Sequence, residues 1–214
     1  MRYLALFFLC LAAIGQQSMF AQTKPTQPAG QQCASTSRVD PATAAALQAL
    51  ALPAAYSFPP VVAYLQTADG WKKLDQSHKS GVVGKAGFMK GTAYYIYDGP
   101  AAALRTDGCP AFGLRANEGP ALNGVSFGPQ DLMILPMTKK KDHREVQVAV
   151  AQGTPFSMTT RTGPARGAPG VALTEAGERT WVLTPVDSLP SGEYLLTFRG
   201  APGFMGWEFS VANN

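Results

Sequence analysis

Between residues 56 and 211 the apolar residues come in short runs, broken every few positions by Gly, Pro, Asn or Asp. This spacing predicts strands joined by turns rather than helices. Val146, Val148 and Val150 alternate with Gln147, Ala149 and Ala151, and Trp181 and Leu183 alternate with Thr180 and Thr184. Tyr194, Leu196 and Phe198 fall on one side of an extended segment, as do Trp207, Phe209 and Val211. Extended backbone sends successive side chains to opposite faces, so each set predicts a strand with one dry side. Upstream, residues 61–65 and 71–74 flank Ala68-Asp69-Gly70 and predict a hairpin. Residues 92–97 (TAYYIY) are β-branched and aromatic, which favours a strand. Asp98-Gly99-Pro100 reads as a turn, and residues 110–115 and 132–137 add further strands. Residues 116–130 and 160–170 read as Gly- and Pro-rich loops.

The start of the chain follows a different pattern. Residues 3–14 form an unbroken apolar run behind Arg2. That run is shorter than the ~20 residues a helix needs to cross a bilayer. A basic start, a short apolar core and then small or polar residues predict a secretory signal over 1–21, cut after Gly15 or Ala21. Residues 22–39 are rich in Gln, Pro, Ser and Thr, with little to bury, and read as a disordered linker. Asp40-Pro41 then opens a short helix over 40–52: Asp caps, Pro suits the first turn, and Pro53 ends it. The expected fold class is all-β, as one or two sandwich-like units: an N-terminal β region over 55–129 and a C-terminal one over 130–212. The expected location is extracytoplasmic, secreted or periplasmic, with no transmembrane span in the mature protein.

Composition supports this picture. Charged residues make up 15% of the chain against a usual ~25%, and 22 Gly and 17 Pro suit a turn-rich fold. A net charge of +4 over 214 residues is too small to argue for nucleic acid. Cys10 sits in the apolar run, with bulky residues where a lipid attachment site needs small ones. Cys33 and Cys109 would meet oxidising conditions and either bridge or stay free, Cys109 buried and Cys33 exposed.

Leu189-Pro190-Ser191-Gly192-Glu193-Tyr194 resembles the tyrosine corner of immunoglobulin-like and fibronectin type III sandwiches. The resemblance implies that the Tyr194 ring packs in the core while its hydroxyl reaches back to upstream backbone. The ending GEYLLTF…GWEFSV is similar to the close of many uncharacterised secreted bacterial proteins. The inter-sheet Cys pair of antibody domains is absent, and the resemblance, over residues 130–212, implies a fold and no particular activity.

Four groups could carry chemistry. Gly124-Val125-Ser126-Phe127-Gly128 matches the G-x-S-x-G turn of serine hydrolases, with His143 as a partner; Pro129 follows at once, so a Gly-rich turn is the simpler account. His78 and His143 lie in polar stretches without metal-ligand spacing, and neither metal nor cofactor is implied. The cluster from Lys139 to Arg144 reads as a solvated turn. Trp71, Tyr95 and Tyr97 could stack on sugar rings if exposed, with core packing as the alternative. The expected function is a non-enzymatic binding or structural role in the cell envelope or outside the cell, with protein or polysaccharide as partner. A carbohydrate-binding module and a serine hydrolase are the alternatives.

Overall fold

The computed structural model describes residues 32–33, 39–55, 57–87, 90–117, 127–154, 157–162, 168–199, 201, 203 and 205–212. One α-helix precedes fourteen strands among them. The first half holds α1 (Pro41–Gln48), β1 (Val61–Thr67), β2 (Gly70–Lys73), β3 (Gln76–His78), β4 (Gly81–Gly87), β5 (Lys90–Asp98), β6 (Arg105–Thr106) and β7 (Phe112–Ala116). The second holds β8 (Leu132–Lys139), β9 (His143–Thr154), β10 (Ser157–Thr162), β11 (Val171–Gly177), β12 (Thr180–Pro185), β13 (Gly192–Phe198) and β14 (Met205–Val211).

The strands form two sheets, antiparallel except where β6 runs parallel to β14. The first has the order β11-β12-β7-β1-β2. The second runs β3-β14-β13-β8-β9-β5-β4, with β10 beside β9, and curls into a half-barrel. Ala63, Leu65, Phe112, Leu114 and Leu183 from the first sheet meet Ile134, Leu196, Phe198, Trp207 and Phe209 from the second in one core. The alternate residues of the second sheet are apolar as well. Met133, Leu135 and Leu195 pack with Tyr97, Val146 and Val148 in a second core inside the curl. Both sheets mix strands from either side of residue 130, so the expected boundary at 129/130 does not separate two sheets.

Eight residues are too few for a helix to stand alone in water, so α1 depends on its cap and its underside. The Asp40 carboxylate accepts the Thr43 amide at 2.9 Å, and Pro41 occupies the first turn, as the sequence predicts. The helix ends at Gln48, short of the expected residue 52. Leu47 is fully buried with Val182 and Ala176 on the outer face of the first sheet. Gly113 makes that approach possible: a Cβ there would run into the Leu47 and Trp71 side chains. Because α1 covers it, β12 is dry on both faces, with Leu183 toward the main core and Val182 toward the helix. Period-two reading of Trp181 and Leu183 therefore describes only half of that strand.

Other departures are local. Gln32 bridges to Asp187 and the Cys33 amide donates to Val186 O at 3.1 Å, so this part of the expected linker is docked on the sheet. The rest of the expected linker, apart from Val39, and the whole signal lie outside the described residues. Part of the expected 160–170 loop belongs to β10.

Tyr194 does what the corner motif implies. Its hydroxyl donates to Pro190 O at 2.7 Å, and its ring stacks on Phe209 at 5.5 Å and 18°. Burial holds its hydroxyl above the usual tyrosine pKa range. A typical buried hydrogen bond contributes about 1 kcal/mol net. Tyr194→Phe is therefore expected to lower unfolding free energy by about that amount in urea denaturation. An unchanged midpoint would show that the hydroxyl does not hold the corner.

Candidate functional site

β2 forms one edge of the first sheet, and its side chains alternate between the core and the outer face. Leu74, just beyond it, points to the core, while Trp71 and Lys73 stand on the outer face opposite Gln66 and Tyr64. Each of these two residues opens onto a hollow, and α1 lies across the same face.

The first hollow, about 320 Å³, is walled by Trp71, Val182, Ala111 and both members of a Cys33–Cys109 disulfide. Its polar groups are Asp40, Thr43, Gln66 and Thr184. Hydrogen bonds from Thr43, side chain and amide, hold the Asp40 carboxyl below its ordinary pKa, so it is ionised at neutral pH. Trp71 is half-buried, with one side against the Leu47 cluster and the other facing this space.

The second hollow, about 350 Å³, lies at the other end of α1. Tyr64, Pro53, Ser57 and Lys73 form its walls, and Leu74 and Trp207 reach it from the core. Asp75 and Gln76, where the chain crosses from β2 to β3, complete the rim. The Tyr64 hydroxyl donates to Ala51 O at 3.0 Å, which pins the stretch after α1. Burial raises the Tyr64 pKa.

The structure thus joins three of the residues singled out from sequence, Trp71, Cys33 and Cys109. It separates them from Tyr95 and Tyr97, which lie on β5 in the other sheet. Tyr97 is 1% exposed, its hydroxyl donates to Gly203 O at 2.6 Å, and its ring belongs to the core inside the curl. Tyr97 is therefore corrected from ligand contact to core residue. Burial, then the nearby Glu208 carboxylate, pushes its pKa far up. Tyr95 is half-buried against the same core, with the Lys79 ammonium 3.9 Å from its ring centroid.

Inside the curl is a charged cluster centred on Arg144. Arg144 has a side chain 4% exposed, ion-paired with Glu208 and 3.8 Å from Glu193. It also donates to Asp98 O at 2.6 Å and Gly99 O at 3.1 Å. Arg144 thus departs from the solvated turn expected of the Lys139–Arg144 cluster, whereas Lys141 and Asp142 fit it. One signal could have found it: Arg144 shares strand parity with Val146 and Val148, the dry side of β9. Arg115 is a second buried cation, on the outer face of the first sheet, and donates to Thr180 Oγ1 and to Glu178 O.

His143 stands on the outside, next to Asp142 at 2.7 Å and Glu145 at 3.5 Å. The Asp142 hydrogen bond raises its pKa, and Asp142 is lowered by the same contact. Lys85, at 2.9 Å, lowers Glu145 and is itself raised. His78 is exposed on β3. Ser126 lies outside the described residues. Among the described residues no group of three or more His, Cys, Asp or Glu could hold a metal ion.

Fold and site together define an all-β protein of two antiparallel sheets, with a disulfide-walled hollow on one outer face. No protein-family model, curated protein or solved structure matches the chain. No helix among the described residues is long and apolar enough to cross a membrane.

Proposed function

We propose that this is an exported, non-enzymatic binding protein of the cell envelope or extracellular space, built on an immunoglobulin-like sandwich, whose ligand seats against Trp71. One observation carries the reading: a half-buried indole shares a hollow with a carboxylate, an amide and two hydroxyls, walled by a disulfide. An aromatic face beside a few fixed polar groups is how binding hollows combine affinity with orientation. The disulfide supports export, since such bridges persist in oxidising compartments. The Tyr194 corner supports the immunoglobulin-like kinship.

The second reading is a carbohydrate-binding module, and the make-up of this same hollow favours it. Asp40 and Gln66 offer the acceptors and donors a sugar ring requires, and Trp71 offers the apolar face. Of the three aromatics singled out from sequence, Trp71 alone lines this hollow.

Isothermal titration calorimetry with a panel of glycans and with purified envelope proteins tests both readings. Trp71→Ala is expected to weaken binding at least tenfold, about 1.4 kcal/mol. Trp71→Phe, which keeps the packing against Leu47, is expected to weaken it less. A ligand held equally well by Trp71→Ala would move the site elsewhere. A hit among glycans would select the second reading over a protein partner.

A further inference from the structure

We infer that the free edge of β4 pairs with β4 of a second copy, joining two half-barrels into one continuous antiparallel sheet about a two-fold axis. β4 ends the second sheet, and its seven residues pair with β5 in one unbroken register from Gly81↔Ile96 to Gly87↔Lys90. Its other side carries no strand among the described residues. Open edges offer unpaired backbone amides and carbonyls, and proteins usually blunt them with outward charges, proline or a bulge. β4 has no proline and pairs with β5 without a bulge. Its one charged residue, Lys85, is turned back across the sheet, with its ammonium 2.9 Å from Glu145 and 4.3 Å from the Tyr94 ring centroid. Val82, by contrast, is 57% exposed on the strand.

The sequence of the strand selects its occupant. In Gly81-Val82-Val83-Gly84-Lys85-Ala86-Gly87, glycines stand at both ends and at the centre, symmetrically about Gly84. Two copies running antiparallel with Gly84 opposite Gly84 bring Val82 against Ala86 of the other copy, and Val83 against the aliphatic stem of Lys85. Residues opposite each other in an antiparallel pair point to the same face, so the exposed valine gains an apolar neighbour. The two Lys85 residues are not opposite each other, and each keeps its own Glu145. This is a self-complementary, isologous contact. One edge of this length is small beside the ~1,200 Å² of stable complexes, so dissociation on the order of 10⁻⁴ M is expected.

Sedimentation velocity over a concentration series reaching millimolar tests the proposal on the mature chain. The wild type is expected to pass from monomer to dimer. Val82→Lys with Ala86→Lys, both at exposed positions, sets like charges face to face and is expected to weaken association at least tenfold. Val82→Glu with Ala86→Glu behaves the same way alone. Mixing the Lys and Glu chains sets opposite charges face to face, and a heterodimer is expected. A wild type that stays monomeric throughout overturns the proposal. So does a Lys variant, folded by circular dichroism, that still dimerises. Failure of the mixture to pair overturns the register centred on Gly84. The Trp71 hollow is on the other sheet, so ligand binding there is a separate readout.

Discussion

Arg144→Ala is expected to destabilise the fold by about 3–5 kcal/mol, because it strands two buried carboxylates without their cation. Glu193 and Glu208 keep side chains only 10% and 13% exposed, and Arg144 is the guanidinium they face. Glu193 also accepts the Ala102 amide at 2.8 Å, so the cluster holds β9, β13, β14 and the stretch after β5 together. The same substitution frees the carbonyls of Asp98 and Gly99, at the end of β5. Urea denaturation of wild type and variant measures the difference. Arg144→Met with Glu193→Gln and Glu208→Gln is expected to recover much of the loss. What destabilises is an unmatched buried charge; a cluster without charge avoids that penalty. If Arg144→Ala unfolds at the wild-type midpoint, the cluster does not hold the curl.

The contrast between Arg144 and its neighbours shows what a single sequence makes legible. Val146, Val148, Tyr194, Leu196, Phe198, Trp207 and Phe209 can be placed from sequence because burial on one face of a strand leaves a period of two. The helix cap at Asp40 is legible for a similar reason: capping is local chemistry between residues three apart. Arg144 is not, because its partners lie 49 and 64 residues away and nothing near it in the chain signals them. Tyr97 misleads in a different way. Alternation puts Tyr95 and Tyr97 on one face, but whether that face is wet depends on the curl of the whole sheet, which brings Leu195 of β13 and Gly203 against Tyr97. The hollow beside Trp71 is half legible. The indole stands out in the sequence, yet its neighbours Asp40, Gln66 and Thr184 come from the residue before α1, from β1 and from β12. Only the pairing order of the strands assembles them, and strand order is a long-range property.

Removing the Cys33–Cys109 bridge is expected to lower stability by about 4 kcal/mol through the unfolded chain. The two residues are 76 apart, and their Cα atoms stand at 5.4 Å, an ordinary disulfide separation. Cys33 precedes α1 and forms no part of a strand, so little native structure depends on it: the bond to the Val186 carbonyl and the Gln32–Asp187 bridge. The larger effect is that a chain closed into so long a loop has fewer unfolded conformations to lose on folding. This account makes a specific claim about Cys33→Ala with Cys109→Ala. For a chain of this size about 4 kcal/mol corresponds to a drop of roughly 8–16 °C in Tm. The urea m-value should rise, since the uncrosslinked unfolded state exposes more surface. The bridge is also one wall of the hollow at Trp71, so binding there should weaken in the same variant even at temperatures where it stays folded. A lowered Tm with unchanged binding would mean that the bridge serves the fold alone. An unchanged Tm would mean that Cys33 is held in place by its backbone hydrogen bonds, and that the closed loop contributes nothing measurable to stability.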